Sequence, residues 1–143
     1  MVNIRTKGQS GEREVCKKLV EYGLVNEASR NLDQVREGGS DVEVLHHVSI
    51  EVKRHETLAI KSWWDQVCVS ASRVGKIPCV FWRPNNKKWL IMLPAGTVPG
   101  PQVNTGVEGV GRVPSYAKYP HLQFVSLPIF VNWYKNNYVR PVS

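Results

Sequence analysis

The sequence predicts an α/β domain, a central sheet flanked by helices, and three observations carry that expectation. Two stretches, Thr6 to Tyr22 and Ile60 to Val74, place apolar residues at helical spacing, and each stops at a glycine. Short runs of strand character, Val42–Leu45, Ser49–Arg54, Ile77–Trp82 and Trp89–Leu93, fill the gaps between and after them. A Gly/Pro-rich segment then separates a last strand and helix from the rest. One domain is expected over residues 1–143, with a core at 5–94, a long loop at 95–118 and the C-terminal strand and helix at 119–140.

In chain order, Thr6-Lys7-Gly8-Gln9 fits a capping box opening the first helix, which Gly23 closes. Its apolar stripe is Val15, Cys16 and Leu19, extended by Tyr22. Stepping back by helical intervals reaches Glu12, which therefore lies on the buried side. An acid there needs a partner. A metal or a catalytic lysine would serve, although position alone slightly favours a helix-end carboxylate paired with the dipole or with Arg13. Glu14 with Lys18, and Lys17 with Glu21, have the spacing of surface ion pairs. Leu24 to Arg30 is a candidate strand. A polar loop, Asn31 to Gly39, follows with Arg36, and Ser40 comes next; loop arginines hold phosphates or are simply solvated.

His46-His47 reads as the turn of a hairpin that joins the Asp41-led run to Ser49–Arg54. Ile60, Trp64, Val67, Ala71 and Val74 form the stripe of the second helix, which leaves Gln66 and Ser70 on one edge and Trp63 off the stripe. Arg83-Pro84-Asn85-Asn86-Lys87-Lys88 makes a basic turn between the next two strands, placed to touch a phosphate backbone or to be solvated. Pro99-Gly100-Pro101 and Gly106 to Gly111 mark the long loop. His121–Val125 is the next strand, and Ser126-Leu127-Pro128 starts the last helix, where proline is tolerated in the first turn.

The composition narrows the function classes. A net charge of +7 and a pI near 9.5 favour attraction to phosphate backbones. No apolar run is long enough to span a bilayer and the N-terminus has no signal-peptide core, so a cytoplasmic protein is expected. Cys16, Cys68 and Cys79 sit in separate elements without C-x-x-C spacing, which points to reduced core residues rather than a zinc site.

The stretch that organises the chain is Ser49-Ile50-Glu51-Val52-Lys53-Arg54, read with Gly38-Gly39-Ser40-Asp41 before it. Alternation sends Ile50 and Val52 into a core and puts Glu51 and Lys53 together on the opposite face. If the hairpin pairs in even register, Asp41 joins them. Two carboxylates suit Mg²⁺, a hard cation that takes oxygen ligands. A neighbouring lysine can orient the attacking water or neutralise charge on a phosphate. Nine glutamates and ten lysines in the chain make about one Glu-x-Lys expected by chance, so the triplet needs its context.

That context resembles the PD-(D/E)xK nuclease superfamily and, within it, the archaeal-type Holliday junction resolvases. The residues that carry the resemblance are Lys7-Gly8, Glu12-Arg13-Glu14, Arg30, Ser40-Asp41, Ile50-Glu51-Val52-Lys53, Ser70 to Arg73, Gly75-Lys76-Ile77-Pro78, Trp89 and Val125-Ser126-Leu127. The resemblance implies a PD-(D/E)xK nuclease-like fold with a mixed five-stranded sheet. It also implies a site in which Asp41, Glu51 and the Val52 carbonyl hold Mg²⁺, with Mn²⁺ as substitute and Glu12 as a further candidate ligand. Lys53 would be catalytic, and Glu12 and Arg13 would complete the site. The implied substrate is DNA, a four-way junction cut by a homodimer, with Lys7, Arg30, Arg36, Ser40, Gln66, Arg83, Lys87 and Lys88 as DNA-binding candidates. Cleavage of ends, flaps or duplex by a related nuclease is the alternative, and a non-catalytic basic DNA-binding protein is the third reading.

Overall fold

The computed structural model describes residues 4–25, 45–99 and 119–139, with side chains in the first helix described from Ser10 onward. The elements run α1 (Ile4–Glu21), β1 (Val48–Lys53), α2 (Ile60–Val74), β2 (Ile77–Trp82), β3 (Leu90–Pro94), β4 (Leu122–Ser126) and α3 (Leu127–Tyr138). The strands form one mixed sheet in the order β1-β2-β3-β4. β1 and β2 are parallel, as a strand–helix–strand crossover requires, and β2, β3 and β4 are antiparallel neighbours.

Strand alternation sorts the core into two layers. Val48, Ile50 and Val52 of β1 join Cys79, Phe81, Ile91 and Val125 on one face, which α1 and α3 cover with Val15, Cys16, Leu19, Phe130, Val131 and Tyr134. On the other face Val80, Trp82, Leu90, Met92, Leu122 and Phe124 meet Ile60, Trp63 and Val67 of α2. Both faces being covered, the strands read as nearly continuous apolar runs rather than as a polar/apolar alternation.

α2 begins and ends where the spacing placed it. Gly75 adopts φ 67° and its N–H caps the carbonyl of Ala71, a left-handed turn that suits glycine. α3 has Ser126 as its N-cap, the Oγ accepting from the N–H of Ile129 at 3.4 Å, with Pro128 in the first turn. Gln123 is buried in β4 and behaves like an extra backbone unit. Its Oε1 accepts from the N–H of Val98 at 2.7 Å and its Nε2 donates to the Val98 carbonyl at 3.1 Å, which anchors the chain after β3.

Several expectations need correction. The sheet has four strands among the described residues, not five. Of the expected strand at 24–30, Leu24 and Val25 form a bend after Gly23, whose φ is 78°. The remainder of that strand, and the run 42–44 expected to pair with β1, lie outside the described residues. α1 starts at Ile4, so Thr6 is already helical and is not an N-cap. In α2 it is Trp63 that is buried, against Trp82 (centroids 6.4 Å apart) and His55 (5.4 Å). Trp64 packs at the border and Val74 is 45% exposed. Helical spacing alone could not say which of two adjacent tryptophans faces the sheet. Cys16 and Cys79 are buried and free, whereas Cys68 is only half-buried. None of the described helices is long and apolar enough to cross a membrane.

Candidate active site

β1 carries the proposed chemistry because its odd residues face α2. Register places Glu51 beside Val80 and Lys53 beside Trp82, both on that face. Glu51 is 1% exposed. The Lys53 ammonium donates to Gln66 Oε1 of α2 at 3.0 Å. Ser70, one turn further along α2 and buried, donates its Oγ to the Gln66 carbonyl at 3.3 Å. A carboxylate almost removed from water and an ammonium of defined position therefore share one strand face. Burial of an ionised carboxylate is costly unless charge or hydrogen bonds compensate it, and a bound cation is one form such compensation takes.

Backbone direction adds a third group. The carbonyls of His47 and Lys53 accept from the N–H groups of Ile77 and Arg83, so the odd residues of β1 direct their backbone groups to β2. Val52, an even residue, directs its carbonyl to the opposite side of β1. Glu51 and the Val52 carbonyl are both hard oxygen donors, the type Mg²⁺ or Mn²⁺ takes. Among the described residues no three Asp, Glu, His or Cys side chains converge, and Asp41 lies outside them.

α1 supplies the remaining candidates from the other face. Glu12 is buried at 8% exposure and Arg13 is exposed. α1 approaches β1 closely at Gly11, where a Cβ would stand 2.6 Å from Arg54 Cγ and 3.2 Å from Val52 Cγ1. Lys7 lies on α1, with its side chain outside the description. Arg30, Arg36, Ser40 and Asp41 likewise fall among residues 26–44, outside the described residues.

The basic turn divides into two parts. Lys87 and Lys88 are exposed at its tip, beside Asn86 with φ 61°. Arg83 is engaged within the protein. Its Nη2 donates to Glu14 Oε2 at 3.0 Å, while its Nε lies 2.8 Å from Oε1 as an ion pair without hydrogen-bond geometry. Nη1 donates to the carbonyls of Lys87 (3.1 Å) and Pro84 (3.4 Å), and the guanidinium lies 5.6 Å from the centroid of Trp89. Arg54 completes this cluster, donating to Glu14 Oε2 at 3.3 Å, Asn85 Oδ1 at 2.7 Å and the Arg83 carbonyl at 2.9 Å. Burial and the neighbouring Arg83 lower the pKa of Arg54, while Glu14 and Glu56 oppose that shift.

Glu14 is thus an interior bridge and not the partner of Lys18, which pairs with Glu21 at 3.6 Å. Sequence spacing missed this cluster because its members are 29 to 69 residues apart. Burial disfavours the thiolate at two of the cysteines: it holds the Cys79 thiol well above its ordinary pKa, and burial followed by Asp65 raises that of Cys68.

A mixed sheet between helices, with Glu-x-Lys on a strand under α2 and a buried glutamate on α1, is consistent with the PD-(D/E)xK class of nucleases. A family model described as "Phage putative PDDEXK endonuclease" matches residues 3–99, from α1 through the turn after β3, and the chain belongs to that family. No curated protein and no solved structure matches the chain.

Proposed function

We propose that the protein is a divalent-metal-dependent endonuclease that hydrolyses DNA phosphodiesters at Glu51 and Lys53. The observation that carries this reading is the buried Glu51 carboxylate on the same strand face as a Lys53 ammonium fixed by Gln66. Glu51, the Val52 carbonyl and Asp41 would hold Mg²⁺, or Mn²⁺ in its place, with Glu12 as a further ligand. When bound, such an ion supplies Lewis-acid polarisation and a water of lowered pKa. Lys53 stands where an ammonium can orient the attacking water or offset charge building on the phosphate. Arg13, exposed on α1, would complete the site from the opposite side of β1.

The substrate within this class is proposed to be a four-way DNA junction, on the resemblance of Lys7-Gly8, Glu12-Arg13-Glu14, Ser40-Asp41 and Ile50-Glu51-Val52-Lys53 to the archaeal-type resolvases. A junction has two-fold symmetry and must be cut in paired strands, so a homodimer with two such sites is the simplest arrangement. A nuclease on ends, flaps or duplex DNA, acting as a monomer, is the alternative; family membership supports a nuclease of this class and does not reach to junction specificity. Incubating a synthetic junction and its matched duplex with and without Mg²⁺, alongside a mass measurement in solution, separates them. Metal-dependent, symmetric cuts in the junction by a dimer are expected; equal cutting of duplex by a monomer would move the assignment to the general nuclease. Binding without cleavage under Mg²⁺ and Mn²⁺ would leave a DNA-binding protein only.

Lys87 and Lys88 are proposed to contact phosphates, together with Lys7, Arg30, Arg36, Ser40 and Gln66. Arg83 contributes by holding the turn. Affinity should fall with salt at a log–log slope of roughly −0.9 per phosphate neutralised. Replacing Lys87 and Lys88 by alanine together should flatten that slope by about one to two units and weaken junction and duplex alike. An unchanged slope would show that the turn points away from DNA.

A further inference from the structure

We infer that Gly11 and Glu14 of α1, seated on Val52 of β1 and on Arg54 just after it, set the position of Glu12 relative to Glu51 and Lys53, which makes Glu14 and Arg54 positioning residues of the site. The inference rests on the nuclease reading above.

Glu12 stands between the two contacts. On its N-terminal side Gly11 brings the helix backbone so close to β1 that a single added carbon would meet Arg54 Cγ at 2.6 Å. Two residues beyond it, Glu14 accepts from Arg54, the residue after Lys53, and from Arg83 at the end of β2. The two contacts therefore hold the C-terminal end of β1, at Val52, and the residue that follows the strand, Arg54, next to the proposed chemistry. Arg54 is oriented further by the Arg83 carbonyl and Asn85 Oδ1, and Asn85 is itself held through its N–H by Glu56 at 3.2 Å. The Arg54 side chain is only 9% exposed, so it cannot swing into solvent without giving up these bonds.

Glu14 is a carboxylate shared by both guanidiniums. Replacing it by an amide leaves two adjacent cations with less to hold them together, which loosens the join between α1 and β1 rather than unfolding either. Geometry of this kind matters to hydrolysis because a displacement of about 1 Å at a reacting group can cost roughly a hundredfold in rate.

Two variants test the seat by different routes. Gly11→Ala favours the helix intrinsically, since alanine is the better helix former, yet its Cβ forces a shift of the Arg54 side chain or of α1 itself. Glu14→Gln keeps the shape and removes the charge. For each, the cleavage rate at saturating DNA, the thermal midpoint, and the metal concentration that half-saturates the Mn²⁺-induced thermal shift would be measured on one preparation. Expected are a rate at least about tenfold lower, a thermal midpoint that does not account for it, and weaker Mn²⁺ binding. A folded Gly11→Ala protein with wild-type rate and wild-type Mn²⁺ binding would overturn the inference. So would a rate loss in Glu14→Gln that vanishes below its melting range. Glu51→Gln assayed in parallel keeps the two levels apart: if it cleaves normally the nuclease site itself is misassigned, whereas an inactive Glu51→Gln beside fully active Gly11→Ala and Glu14→Gln rejects only the positioning role.

Discussion

Replacing Glu51 by glutamine, Asp41 by asparagine or Lys53 by alanine should each abolish DNA cleavage while binding stays at or above the wild-type level. The amides keep size and hydrogen-bonding capacity and remove one negative charge, so the loss falls on metal affinity rather than on packing. Glu51, at 1% exposure, has no solvent to substitute for the lost interaction. Lys53→Ala removes the ammonium that Gln66 holds at 3.0 Å and leaves the oxygen donors in place. Loss of one group that stabilises transition-state charge typically costs about 10²–10³ in rate, and loss of a metal ligand adds to that. Binding without divalent metal should tighten slightly in the two amide variants, because a negative charge facing phosphates has gone. Rates within about tenfold of wild type in all three variants would sink the site assignment.

Phe81→Ala should be the most destabilising single change in the sheet. Phe81 is fully buried in β2, lies edge-on to Phe130 at 5.2 Å and is 6.1 Å from Trp89, so it joins an inner strand to α3 and to the residue that leads from the basic turn into β3. Truncating such a residue costs about 3–5 kcal/mol, a large part of the roughly 5–15 kcal/mol by which a domain of this kind is stable. The denaturant midpoint should drop with little change in slope. Val69→Ala, at a residue 53% exposed on α2, should stay within about 0.5 kcal/mol and serves as the control. A loss below about 1 kcal/mol in Phe81→Ala would mean that the two aromatic neighbours close the cavity.

Local rules placed the elements well where one signal was dominant. The stripe of α2 and Gly75 gave both its ends, and Ser126 with Pro128 gave the start of α3. The alternation of Ile50, Glu51, Val52 and Lys53 assigned the two faces of β1 as the packing does. Gln66 was legible as an edge residue near the site, but its bond to Lys53 was not, because it depends on how α2 lies across the sheet. Thr6 illustrates the opposite failure: a capping sequence inside a helix that had already begun at Ile4. The Glu14–Arg54–Arg83 cluster had no signal at all. Glu14 has a lysine four residues on, which offers a local partner, and only the approach of α1 to β1 brings the arginines nearer.

The layer formed by α1 and α3 has a consequence for how the chain is made. One face of the sheet can be closed by α2, which lies between β1 and β2 in the chain; the other needs α1 and α3, which flank all four strands in the order of the described elements. Until α3 emerges, Phe81, Ile91 and Val125 present an apolar underside with α1 as partial cover, the sort of surface on which nascent chains self-associate. Slow synthesis through residues 100–126 would prolong that interval, and a chaperone that binds extended apolar surface has its best opportunity there.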